Sequence, residues 1–280
     1  MKKLLLLISC CCLMMSAMAK SKVEKCTMQS KILGVEKPYR VYLPDGYENG
    51  KDYPVLYLLH GSGGTCDTWL KYNTALHADW RINAGLALPM VIVMPDARGI
   101  GAANRGKNLG YFNYDDWKYE DYFFQEFIPH IEKTFKVRKD RKGRAIAGMS
   151  MGGGGTVIYA MHHPEVFGSA YPVAARVEGT PKAKKNLVQE YLDKIVEHNM
   201  VEYLKNAPEE VQKQIAEIRW TIDVGANDYM FEGDTHLYML MLELKFPMAQ
   251  LRVREGTHNG EYCRMILPDL LTFVSIGFAQ

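Results

Sequence analysis

Net charge is nearly missing from this chain. Lys and Arg number 34 against 32 Asp and Glu, which leaves +2 at pH 7. So small an excess gives no electrostatic case for nucleic acid or for an acidic surface as partner. Long apolar runs are equally scarce. Beyond the N-terminal segment none is long enough to cross a bilayer, so stable membrane insertion is not expected. Internal repeats and low-complexity linkers are absent, which excludes a repeat array. Neither glycine cluster is followed by Gly-Lys-Ser/Thr, and that sets aside a phosphate-binding P-loop. Cysteine is sparse: six in all, with Cys10, Cys11 and Cys12 clustered near the N-terminus.

That N-terminus reads as an export signal. Lys2-Lys3 is a basic start, Leu4 to Met15 is a short apolar core, and Ala17-Met18-Ala19 resembles a cleavage site. Residues 1–19 are therefore expected to leave, with the mature chain beginning near Lys20. Leu7-Ile8-Ser9-Cys10 is a loose lipobox, and a lipoprotein is the alternative; it would leave a very short apolar segment before the cysteine. Cys26, Cys66 and Cys263 then remain, an odd number that cannot all pair internally.

Residues 20–280 read as one catalytic-sized domain. Val55 to Leu59 and Met90 to Met94 are continuous apolar runs, the mark of strands buried on both faces. Further short strands are expected at Ala145–Ala147, Ser169–Ala174, Trp220–Val224 and Leu251–Arg254, separated by helical patterns. Val23–Met28 and Tyr39–Leu43 alternate, as antiparallel edge strands do. Pro129 is expected to kink the amphipathic segment from Asp121 to Phe135. The sum is an α/β fold: a mostly parallel sheet with helices on both faces. One stretch breaks the alternation. Residues 176–219 hold two helical stripes and no strand. The first is Leu187, Val188, Tyr191, Leu192, Ile195 and Val196; the second opens at Pro208. This insertion is either a cap over the sheet edge or a packed side pair.

The chemistry centres on Gly148-Met149-Ser150-Met151-Gly152. A strand precedes it and a helical run, Thr156 to Met161, follows. Strand, sharp turn and helix are the setting of a nucleophile elbow. Serine is a poor nucleophile at neutral pH and needs a base and oxyanion donors. Among the histidines after it, His258 stands directly after the last strand and before the last helix, where the base must lie. Asp228, just past the preceding strand, is the expected acid; Asp223, within that strand, is the fallback. The oxyanion donors should be backbone amides: that of Met151 and one from His60-Gly61-Ser62-Gly63-Gly64, with Ser62 first and Gly63 second. Cys66 follows that loop and Cys263 follows His258, so any disulfide should join them; free, partly buried thiols are the alternative.

Five stretches together resemble a known family: Leu58 to Gly64 with Trp69, Tyr119-Glu120-Asp121 running to Ile128-Pro129, Gly148 to Gly153, Gly225 to Asp228, and Gly256-Thr257-His258. They look like the esterase D and feruloyl/acetylxylan esterase group, carbohydrate esterase family one of the α/β-hydrolases. The resemblance covers nearly the whole mature chain. It implies a serine carboxylic-ester hydrolase with Ser150, Asp228 and His258 as triad and with no cofactor and no metal. Many relatives carry a tryptophan a few residues after the histidine; this chain has Tyr262-Cys263, which alters the local substrate wall. Together with export, the resemblance implies feruloyl or acetyl esters of a xylan-type polysaccharide. The loop aromatics Tyr111, Phe112, Tyr114 and Trp117 could wall a substrate pocket or simply pin a long loop. Other readings are a short-chain acylglycerol esterase, an acyltransferase, and an inactive glycan-binding module on the same scaffold. A serine peptidase lacks a gating domain here.

Overall fold

The computed structural model describes residues 21–50, 52–99, 109–178 and 189–280, and the side chains of 189–192 are not described. The proposed signal and lipobox residues, and Leu187, Val188, Tyr191 and Leu192 of the insertion stripe, therefore lie outside what is described.

Apolar runs become strands where they can be covered twice. β3 (Val55–Leu59) and β4 (Val91–Pro95) are buried at every position. Alternate side chains of β3 enter different cores: Val55, Tyr57 and Leu59 join one, Leu56 and Leu58 the other. The eight-stranded sheet has the order β1-β2-β4-β3-β7-β8-β9-β10. Its remaining strands are β1 (Lys22–Gln29), β2 (Glu36–Leu43), β7 (Arg144–Met149), β8 (Ser169–Val173), β9 (Arg219–Gly225) and β10 (Ala249–Arg254). β1 and β2 pair antiparallel, β2 joins β4 antiparallel, and every later pairing is parallel. The alternating edge and the buried centre are as the sequence patterns predict. A separate two-stranded ribbon, β5 (Asn113–Tyr114) and β6 (Trp117–Lys118), lies in the aromatic loop.

Helices cover both faces. α1 (Thr74–Asn83) and α9 (Gly260–Phe278) pack together beside the second core, and α4 (Met151–His162) and α8 (Phe231–Glu243) lie against the sheet strands. Pro129 lies inside a helical segment that departs from regular α geometry just ahead of it. The segment runs as α2 (Tyr119–Tyr122), a π-helical turn over Phe123–Phe127, and α3 (Ile128–Thr134), with Pro129 in the first turn of α3. The backbone stays helical through both junctions, so Pro129 lies within a continuous helical run, and the departure from α geometry falls in the turn just before it.

Among its described residues the insertion has three helices, α5 (Gln189–Glu197), α6 (Met200–Asn206) and α7 (Glu209–Ala216). Asn199 caps α6 by accepting from the amides of Val201 and Glu202. Pro208 is the N-cap of α7 rather than its first residue. His198 and Tyr203 lie 5.9 and 5.1 Å from the His162 ring, at the C-terminal end of α4. That end is roughly 18 Å along the helix from Ser150. The described part of the insertion thus packs as side helices beside α4 and α8.

Candidate active site

Ser150 sits between β7 and α4 with φ 58° and ψ −114°. A non-glycine residue there is strained by about 1–3 kcal/mol, which the surroundings must hold. They do so through the backbone. The Ser150 amide donates to the Val173 carbonyl at 2.9 Å, and the Ser150 carbonyl accepts from Gly154 at 2.8 Å and Arg176 at 3.3 Å. The flanking glycines are sterically required. A Cβ on Gly148 would come within 2.5 Å of the Gly152 carbonyl oxygen, and one on Gly152 would overlap the Leu59 carbonyl. Behind this turn, Ala175 donates to the Asp234 carboxyl at 2.9 Å. Burial holds that carboxyl well above the usual carboxylate range.

The structure brings Ser150, His258 and Asp228 together. The Ser150 hydroxyl is 2.8 Å from His258 Nε2, and both Asp228 oxygens are 2.9 Å from His258 Nδ1. A carboxylate only accepts, so the ring proton belongs on Nδ1 and Nε2 is left to accept from the serine. Two loops must approach closely for this. The Asn227 amide donates to the Gly256 carbonyl at 3.1 Å, and a Cβ on Gly225 would come within 2.5 Å of the same oxygen. Asn259 caps α9 by accepting from Tyr262, which fixes the chain just after His258.

Asp223, the fallback acid, is committed elsewhere. It is fully buried and accepts from Tyr171 at 2.5 Å, Tyr262 at 2.6 Å and the Arg254 guanidinium at 3.0 Å. It ties three elements together and does not face His258.

Ser62 lies in a turn closed by the Gly64 amide on the Gly61 carbonyl at 3.0 Å, with Gly63 at φ 77°. His60 anchors that turn. Its Nδ1 donates to the Gly61 carbonyl and its Nε2 accepts from the Ala97 amide, both at 2.9 Å. Full burial lowers its pKa, in keeping with a neutral ring. Met151 is the first residue of α4, so its amide is one of those a helix leaves without an intrahelical acceptor. Ser62 and Ser150 line one cleft of about 340 Å³ with Gly61, Gly63, Trp69, Lys71, Tyr72, His258 and Asn259.

The loop aromatics are a correction. Tyr111, Phe112, Tyr114 and Trp117 are all buried and none lines this cleft. Tyr111 donates to the His60 carbonyl at 3.0 Å and Tyr114 to the Leu109 carbonyl at 2.6 Å. The loop carries polar backbone that must be anchored, and these side chains anchor it. Of the two cysteine readings, the free-thiol one holds: Cys26, Cys66 and Cys263 are unpaired. Cys263 lies in the first turn of α9, buried against Met149, while Cys66 donates its amide to Asp96. Burial pushes their thiols up to about 12 and about 11.

Sequence reasoning did not single out Tyr229. Its ring packs on the His258 imidazole, 4.4 Å between centres, and is 52% exposed. Burial first, then Asp228, push its phenol above the ordinary value, against the pull of Arg176 and of a hydrogen bond with Ser150. Its place directly after the acid was the available signal. Among the described residues, no cluster of three or more His, Cys, Asp or Glu is placed to hold a metal.

This fold and site define a class, the serine carboxylic-ester hydrolase with an α/β-hydrolase fold. The profile of the Esterase family matches residues 30–229, and the chain belongs to that family. An endo-1,4-beta-xylanase/feruloyl esterase of Xylanibacter ruminicola is 35% identical over 152 residues, covering 52% of this chain and 20% of that protein. The chain thus spans a fifth of that relative's length. A solved ferulic acid esterase superposes with a TM-score of 0.85 at 35% identity, covering 92% of this chain and 99% of its own. A ferulic acid esterase of Anaeromyces mucronatus, solved with ferulic acid, shares the fold with a TM-score of 0.71 at 20% identity, over 93% of this chain and 92% of that one.

Proposed function

We propose that this chain is an exported serine esterase that removes feruloyl or acetyl groups from plant polysaccharide. The observation that carries the reading is the continuous hydrogen-bonded path from Ser150 through His258 to Asp228. In it, His258 Nε2 takes the serine proton as Oγ attacks the ester carbonyl. The amides of Ser62 and Met151 hold the oxyanion. The imidazolium, oriented by Asp228, then gives its proton to the leaving alcohol, and an acyl-serine remains. Water, activated by the same His258, attacks that acyl-serine, releases the acid and restores Ser150. No step calls for a metal or organic cofactor.

The substrate class is supported by the names of two relatives, a xylanase/feruloyl esterase and a ferulic acid esterase. Export is supported by the basic start and apolar core of residues 2–19. Residues 20–280 act as one catalytic domain, with 176–219 as a supporting insertion. A panel of methyl ferulate, acetylated xylan and tributyrin, run on wild type and Ser150→Ala, tests the reading. Turnover of the first two by wild type alone is expected. Equal turnover by the variant overturns it, and turnover of tributyrin only overturns the carbohydrate assignment.

A further inference from the structure

The two halves of an ester need two places beside Ser150. One is the half-open cleft of about 340 Å³ bounded by the Gly61–Gly64 turn, Trp69 and Tyr72. The oxyanion turn forms its wall, so the carbonyl carbon and its acyl chain belong there. The leaving oxygen belongs away from that turn, toward His258, which lines the same cleft together with Asn259. It must lie within hydrogen-bond reach of His258 Nε2, which delivers its proton. The alcohol therefore departs along the histidine.

Tyr229 stands on that path. Its ring centre is 4.4 Å from that of His258, with the planes tilted by 43°, and it is not among the residues lining that cleft. Its backbone is rigidly placed. The Asp228 amide donates to the Gly225 carbonyl at 3.0 Å, the Met230 amide donates to Asp228 Oδ1 at 2.9 Å, and the Phe231 amide donates to the Asp228 carbonyl at 3.1 Å. The turn that holds the acid on His258 thus also holds this ring over the base. About half of the side chain stays in water, 52%. A large apolar ring on an open flank suits an alcohol that is both bulky and apolar on one face. A sugar ring is such a group: its axial C–H bonds form an apolar face and its hydroxyls point outward.

We propose that Tyr229 forms the leaving-alcohol subsite, its half-exposed ring serving as the platform for the sugar whose hydroxyl carries the acyl group. This rests on the esterase reading above and extends it from the acyl half to the alcohol half. The ring supplies rigid contact area at low conformational cost, since only two side-chain torsions are fixed.

The test compares one acyl group on two alcohols. Feruloyl or acetyl, whichever wild type cleaves faster, is placed on methanol and on methyl arabinofuranoside. The ratio of kcat/KM for the sugar ester to that for the methyl ester is read for wild type, Tyr229→Ala and Tyr229→Phe. Because it is a ratio, it does not depend on how much of each variant folds. Tyr229→Ala should lower it about three- to tenfold, the scale of one aromatic face contact, while Tyr229→Phe keeps it within about twofold. An unchanged ratio in Tyr229→Ala overturns the proposal, and so does an equal loss in Tyr229→Phe, because the hydroxyl rather than the ring would then be recognised. If wild type cleaves neither methyl ester faster than Ser150→Ala does, the esterase reading itself fails.

Discussion

Tyr111 and Tyr229 both border the elbow, and they do opposite things. Tyr111 is 1% exposed, its ring lies against Gly155, and its hydroxyl is bound to the His60 carbonyl. Tyr229 is 52% exposed and lies on the His258 ring. The first belongs to a long loop crowded with aromatics, the second to a short turn with a single one. A crowded aromatic loop reads like a binding wall. Here its rings are the means by which an irregular backbone is tied down: all four bury apolar area, and the Tyr111 and Tyr114 hydroxyls each satisfy a carbonyl. The aromatic at the base comes from the segment that has least freedom, because that turn is already fixed by the acid.

Substitutions can break this contrast. The largest effect belongs to the turn. Asp228→Asn should lower kcat/KM by a thousandfold or more, through loss of the correct imidazole tautomer, as measured by steady-state kinetics. Asp223→Asn, five residues earlier, should instead leave kcat per folded molecule near wild type. It should lower stability by about 2–3 kcal/mol, because the buried charge-assisted hydrogen bonds from Arg254, Tyr171 and Tyr262 are weakened while Arg254 keeps Asp269 at 2.8 Å, as read by urea unfolding. On the loop side, Trp117→Ala removes a buried indole and should cost about 3–5 kcal/mol. Its kcat/KM per folded molecule should stay within about threefold of wild type; a specific loss of sugar-ester turnover would return this loop to the site.

A smaller effect lies where the loop meets α4. Glu120 accepts from His162 at 2.9 Å and His163 at 3.2 Å. Burial opposes ionisation, yet these contacts win and hold its carboxyl at about 2. A carboxyl depressed on folding contributes stability above its unfolded value, and that contribution is lost as pH falls. Between about pH 4.5 and 2, wild type should lose roughly 2–3 kcal/mol that Glu120→Gln does not, measured as the pH dependence of the unfolding midpoint. The smallest effect concerns the thiols. With Cys66 and Cys263 buried and pushed upward, thiol reagents at pH 8 should modify Cys26 first in the native protein and reach the other two only on unfolding.

Much of this was legible beforehand, and the reasons are physical. β3 and β4 are central strands, and double burial leaves a continuous apolar run that has no other reading. Ser150, Asp228 and His258 could be placed because each follows a strand that the patterns marked. The start of α4 was legible only from the elbow motif, which puts Met151 at a helix N-terminus, and not from helical patterning. Its first turns are glycines, which have poor helix propensity, so the helical pattern is visible only from Thr156. α9 likewise begins at Gly260, earlier than its apolar stripe suggests, because Asn259 caps it. α6 is short and has too few turns to show a period. Exposure is a tertiary property, and that is why Tyr111 and Tyr229 could not be sorted from composition.

The glycines at the head of α4 have one more consequence. Four in a row, Gly152 to Gly155, weaken that helical turn by about 3–4 kcal/mol relative to alanine. Side chains there would overlap the Leu59 carbonyl, come within 2.8 Å of the Val173 carbonyl and 2.6 Å of the Arg176 carbonyl, and press on the Tyr111 ring. The segment therefore has little tendency to coil by itself and takes shape only once β3, β8 and the aromatic loop have closed around it. The serine hydroxyl is thus expected to come into line late in folding, after the pieces that will hold it. Catalytic competence is then a sensitive gauge of complete assembly: refolding followed by ester turnover should lag behind refolding followed by backbone signals.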